Sequence, residues 1–269
     1  MKLRDRGIGV FDSGVGGLTV VREIMRLLPE ERIVYLGDTA RLPYGSKSPK
    51  VVDKFSSQAL RFLLKQDLKL IVIACNTVSA LSLRKLRKSS PLPLIGVLES
   101  GAKKGIEVTR NGIIGVIGTK ATIRSRAYPK LIRSLAPQVK VISRSCPLLV
   151  PLVEEGWSKS KITYQVASIY LKPLLRQDID TLILGCTHYP LLKGIFQDIV
   201  GEKVVLVDSA QEVAKKVKEL LRRRNIRKRG GSPEHTFYIS DISRRFVHMG
   251  RQILGRELNN LREVNLEEW

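Results

Sequence analysis

The chain has 269 residues, of which 43% are apolar and 6% aromatic, and its 47 Lys and Arg against 25 Asp and Glu give a net charge of +22. That length and apolar content suit one large globular domain or two small ones, and no apolar run approaches the roughly 18 residues of a membrane span. Met1-Lys2-Leu3-Arg4 leads almost directly into Ile8-Gly9-Val10-Phe11, so no secretory leader with its apolar core is expected and the cytoplasm is the expected location.

Ile8–Phe11 reads as the first strand, short, apolar and β-branched. Leu18 to Leu28 follows with Leu18, Val21, Met25 and Leu28 at helical spacing and Pro29 as a stop. Further strands are expected at Ile33–Leu36, Leu70–Ala74, Ile113–Ile117, Val139–Ile142, Thr181–Leu184 and Val204–Val207. They lack polar alternation, as strands covered on both faces do. Strands alternating with helices predict a mostly parallel sheet, with functional residues just beyond the carboxyl ends of strands. The dense basic run Arg222–Arg229 contains no aromatic residue to stack on bases. It reads as a surface loop, solvated and able to steer acidic small molecules, so nucleic-acid binding is expected to be non-specific if it occurs. Beyond Gly230-Gly231-Ser232-Pro233, a strand Thr236–Ser240 and a helix Ser243–Leu254 are expected to pack back on the first half.

The chain also echoes itself. Ile8-Gly9-Val10-Phe11 recurs as Ile114-Gly115-Val116-Ile117, and Leu70-Ile71-Val72-Ile73-Ala74-Cys75-Asn76-Thr77 as Thr181-Leu182-Ile183-Leu184-Gly185-Cys186-Thr187-His188, at nearly the same offset. The echo suggests two related βα halves; chance resemblance between apolar strands is the alternative, made less attractive by a Cys at the same strand end in both. The predicted fold class is α/β, with two similar subdomains of mostly parallel sheet related by pseudo-twofold symmetry and a site between them. Residues 1–97 plus 208–269 form the first and residues 98–207 the second.

Three cysteines, Cys75, Cys146 and Cys186, cannot all pair within the chain and none lie at CxxC spacing, so neither a disulfide framework nor a zinc ribbon is indicated. Cys75 ends an apolar strand before Asn76-Thr77-Val78-Ser79, and a thiol at a helix N-terminus is expected to have a lowered pKa. One such Cys is as readily structural as catalytic; a second at the same strand end, Cys186, favours chemistry. Cys146, between Ser145 and Pro147, reads as structural. Asp12-Ser13-Gly14-Val15-Gly16-Gly17 lacks the Lys and Ser/Thr of a P-loop and the GxGxxG spacing; it is either a capped glycine turn or a carboxylate site at a helix start. Asp38 to Gly45 is a polar turn where ligands bind in such folds. Glu154 and Glu155 follow an apolar stretch, and His188 stands two residues from a thiol, placed to assist it. A hydrolase has no use for a second equivalent nucleophile. Inverting a carbon centre needs an acid and a base on opposite faces, which two like groups from two like halves supply.

Phe11-Asp12-Ser13-Gly14-Val15-Gly16-Gly17-Leu18, Gly37-Asp38-Thr39-Ala40-Arg41 through Pro43-Tyr44-Gly45, Ala74-Cys75-Asn76-Thr77 and Gly185-Cys186-Thr187-His188-Tyr189-Pro190-Leu191-Leu192 resemble the glutamate racemases over nearly the whole chain. The resemblance implies that Cys75 and Cys186 exchange the α-proton, Cys75 with D-glutamate and Cys186 with L-glutamate. It implies that Asp12 assists the first thiol, Glu154 (rather than Glu155) and His188 the second, and that Asp12, Ser13, Tyr44, Gly45, Asn76, Thr77, Thr187 and His188 bind substrate. It further implies no pyridoxal phosphate and no metal, D-glutamate supplied for peptidoglycan, and a homodimer. Preorganised backbone amides after Asp12, Cys75 and Cys186 are the expected stabilisers of developing charge. A related two-Cys racemase for aspartate or a hydantoin is the nearest alternative; the aspartate enzymes typically carry an acidic residue at the position of His188. A basic nucleic-acid-binding protein is the alternative from another class.

Overall fold

A computed structural model describes residues 2–269. The chain first forms β1 (Gly7–Asp12), β2 (Ile33–Gly37), β3 (Leu68–Ile73) and β4 (Leu94–Gly96). Next come β5 (Ile113–Gly118), β6 (Lys140–Ser145), β7 (Thr181–Gly185) and β8 (Val205–Asp208), and last β9 (Thr236–Ile239) and β10 (Leu261–Glu263). One sheet has the order β10-β9-β2-β1-β3-β4 and the other β6-β5-β7-β8. Every pairing in both is parallel. The order 2-1-3-4 of the first sheet recurs as 6-5-7-8 in the second, which is the repetition the internal echo predicts.

Every residue of β1, β3 and β7 is buried, and each Val, Leu or Ile so placed contributes roughly 1.5–3 kcal/mol. The helix Leu18–Leu27 covers the first sheet and packs on the helices Ser209–Arg223 and Arg244–Leu254. The last of these starts where Ser243 accepts from the Phe246 N–H and ends at Gly255 with φ of 66°, both common helix boundaries.

The differences from the expected strands have local causes. β4 is three residues long and lies directly behind Pro91-Leu92-Pro93, which masks it. β10 is a three-residue edge strand with polar composition. β6 runs on through Ser143, Arg144 and Ser145, because an edge strand is only half buried and tolerates them. β3 begins two residues early, at Leu68, because the buried residue Lys69 interrupts its apolar run.

Lys69 also corrects the reading of the basic run. Its ammonium pairs with the buried Glu31 carboxylate at 2.5 Å and donates to the carbonyls of Arg4 (2.9 Å) and Ile226 (3.0 Å). Burial pushes the Lys69 ammonium down in pKa, and Glu31 pulls it back up. Glu31 in turn accepts from the Lys228 N–H at 2.9 Å, and Arg227 pairs with Glu30 at 3.3 Å. Arg222 and Arg223 belong to the preceding helix. The run is therefore a helix end followed by a tethered segment with buried Ile226 at its centre, not one free loop.

Candidate active site

In a 2-1-3-4 sheet the chain leaves β1 and β3 toward opposite edges, so a crevice opens beyond their carboxyl ends. Asp12-Ser13 and Cys75 stand at that crevice in the first sheet, and Thr119 and Cys186 at its counterpart in the second. A single cavity of about 290 Å³ joins them, near the lower end of the range for small-molecule sites. Both thiols, Ser13, Tyr44, Gly45, Asn76, Thr77, Glu154, Thr187 and His188 line it.

Cys75 caps the helix Asn76–Leu81, and its Sγ lies 3.6 Å from Ser13 Oγ. Burial foremost, with the Asp12 carboxylate, pushes the Cys75 thiol up to about 12, against the Val78 N–H and Ser13 hydroxyl that favour thiolate. The expected lowering by the helix terminus is thus outweighed: in a closed pocket desolvation of the anion exceeds a few amide dipoles.

Asp12 does not line the cavity; it is wholly buried behind Ser13 and Thr187. Its Oδ2 accepts from the N–H groups of Gly14 and Gly17, each at 3.0 Å, and its Oδ1 from the Thr187 hydroxyl at 3.4 Å. The amides of Gly14 and Gly17 are therefore committed to Asp12 and do not face a ligand. Burial pushes the Asp12 carboxyl up, opposed by His188 and these donors. The glycines permit the closeness: a Cβ on Gly16 would sit 2.4 Å from Thr187 Oγ1 and 2.6 Å from His188 Nδ1.

Around Cys186 the partners form a chain. Its Sγ lies 3.8 Å from His188 Nδ1, and His188 Nε2 lies 3.0 Å from Glu154 Oε1. Burial alone would push His188 down, but the thiol and carboxylate together raise it to about 10. Glu154 is pushed up by burial and held net below its ordinary value by His188 and Arg245. Glu155 points away, exposed, to pair with Arg245 at 2.8 Å. Of the two adjacent acids, Glu154 is the one in the cavity.

Tyr44 is buried with its hydroxyl on Asp38, so it offers the cavity its ring and backbone. Asp38 itself is held by Arg41 (2.8 Å) and Ser240 (2.9 Å). Thr77 Oγ1 meets Thr119 Oγ1 at 2.9 Å and Thr122 Oγ1 at 3.3 Å, a hydroxyl cluster joining the halves. Sequence reasoning missed Thr119 and Lys120, which line the cavity; Cys146, which reads as structural in the sequence, lines its wall as well. The echo that pairs Ile8 with Ile114 also pairs Ser13 with Thr119, so that signal was present. Among the described residues, no group of three or more His, Cys, Asp or Glu is arranged to hold a metal ion.

A family model described as Asp/Glu/Hydantoin racemase matches residues 8–217. A glutamate racemase from Geobacter metallireducens is 48% identical over 263 residues, 97% of each chain, and one from Neisseria meningitidis is 46% identical over 265 residues, 98% of each. Among solved structures, glutamate racemase isoform RacE1 from Bacillus anthracis matches with a TM-score of 0.95 at 41% identity, covering 98% of both chains. A glutamate racemase from Francisella tularensis in complex with D-glutamate matches with a TM-score of 0.94 at 38% identity, covering 99% of this chain and 100% of that one.

Proposed function

The chain belongs to the Asp/Glu/Hydantoin racemase family, and on that premise we propose that it interconverts L- and D-glutamate by proton transfer between the α-carbon and two thiols. The observation that carries this reading is the pair Cys75 and Cys186, set at equivalent strand ends on one cavity, each with its own polar partners.

In the L-to-D direction the Cys186 thiolate takes the α-proton, and the Cys75 thiol delivers its own proton to the opposite face. The products are D-glutamate, a Cys186 thiol and a Cys75 thiolate; proton exchange with solvent restores the starting state. Cys75, held up to about 12, rests as the proton donor this direction requires. When it later acts as base for D-glutamate, its thiolate is a strong one, as a weakly acidic α-hydrogen demands. His188 relays a proton to or from Cys186 and is steadied by Glu154. Asp12 acts on Cys75 from behind the wall. Charge developing on the substrate meets the Thr77 hydroxyl and the free backbone amides that follow each thiol. The D-glutamate formed serves peptidoglycan synthesis.

The test is circular dichroism of L-glutamate incubated with chelator-treated protein free of pyridoxal phosphate. The signal should decay to zero, and aspartate should respond far more slowly. A constant signal, or decay only after pyridoxal phosphate or a divalent metal is added, would refute the proposal.

A further inference from the structure

Tyr128, in the helix Ala127–Leu135, is 1% exposed and is not among the residues lining the cavity. Its hydroxyl nevertheless donates to Asn76 Oδ1 at 2.9 Å, crossing from the half built on the second sheet to the residue that follows Cys75. Its ring lies against Gly185, the residue before Cys186: a Cβ there would stand 3.2 Å from Tyr128 Cε2. One side chain thus touches both thiol-bearing strand ends.

The chemistry of the contact is directional. A carboxamide offers an acceptor at one end and two donors at the other. With the phenol donating to Oδ1, the Nδ2 end remains, and among the described residues nothing in the protein accepts from it. Burial pushes the Tyr128 phenol up, so it stays a donor at any working pH. We propose that Tyr128 is a positioning residue that holds the Asn76 carboxamide with its NH₂ toward a substrate carboxylate. The proposal rests on the glutamate reading given above.

Tyr128→Phe keeps the ring packing on Gly185 and removes only the hydroxyl. KM for both enantiomers should rise about tenfold while kcat changes less than about threefold, since the lost contact is made equally in ground and transition states. In an Asn76→Ala background, Tyr128→Phe should change KM by less than about twofold, because the coupled partner is gone. An unchanged KM in the otherwise native enzyme, or the same tenfold rise without Asn76, overturns the proposal. If Tyr128→Phe does not fold, a crystal structure of the native enzyme with D-glutamate decides. Nδ2 of Asn76 on a substrate carboxylate supports the proposal, and an amide turned away overturns it. An inactive native enzyme defeats the glutamate reading and this inference together; an active one indifferent to Tyr128→Phe defeats this inference alone.

Discussion

Glu154→Gln keeps the shape of the His188 partner and removes its charge. The two groups are 3.0 Å apart, His188 is 4% exposed and Glu154 24%. Two unit charges at that separation interact by about 5.5 kcal/mol at an effective dielectric of about 20. Solvent at the Glu154 end reduces this toward the roughly 1.5–3 kcal/mol measured for hydrogen bonds to charged groups. At about 1.4 kcal/mol per pKa unit, His188 should fall from about 10 by one to two units. Carbon-13 NMR titration of the imidazole reads this directly. The stability gap between native and variant proteins should depend on pH. His188 has a folded value raised above 6.5, so the pair stabilises fully below 6.5 and is lost as pH climbs through about 10. Glu154 has a depressed folded value, so the gap also closes in acid, as pH falls through that value. Turnover of L-glutamate should drop about 10- to 100-fold, toward the low end of general acid–base effects, with a smaller effect on D-glutamate. A His188 titration unmoved by Glu154→Gln would refute this reasoning.

Three further outcomes are expected. Gly16→Ala drives a methyl into Thr187 and His188; it should cost about 1–3 kcal/mol in denaturant melts and lower kcat/KM about 100-fold through misplacement of the site, and a fully active variant would contradict the packing. Glu31→Gln should lower stability by roughly 3–5 kcal/mol by stranding the buried Lys69 charge, with KM unchanged, because the pair lies at the opposite end of the strands from the cavity; a neutral effect on urea denaturation would contradict the burial. Replacing the exposed Arg222, Arg223, Arg224 and Arg229 with Gln should leave kcat/KM within about twofold and abolish any nucleic-acid binding that fades with salt; binding that persists at physiological salt would show a dedicated surface.

How much of this was legible beforehand follows from what each residue encodes. The apolar, β-branched runs that became β1, β3 and β7 are buried on both faces, so composition alone marks them. The repeated strand ending in Cys75 and Cys186 marks both thiols as lying beyond carboxyl ends. Lys69 was opaque because its partner Glu31 comes from a distant turn, and a buried ion pair looks like a broken strand in sequence. The orientation of Asp12 was opaque for another reason: whether a carboxylate faces a ligand or its own loop depends on where Gly14 and Gly17 point their amides. The raised Cys75 thiol was misjudged because a helix terminus is visible in sequence and burial is not. Tyr128 carries no motif and acts only through the tertiary approach of the two halves.

The division of labour between the thiols is tested most directly by α-hydrogen exchange in deuterated water, followed by proton NMR in Cys75→Ser and Cys186→Ser. Serine keeps the size of cysteine but is a far weaker acid, so each variant should lose net racemisation and still bind glutamate. Cys75→Ser should retain slow exchange with L-glutamate alone, and Cys186→Ser with D-glutamate alone, each without inversion, while Cys146→Ser stays active. Near-normal racemisation in either Cys75→Ser or Cys186→Ser, or the same enantiomer preference in both, would contradict the two-thiol account.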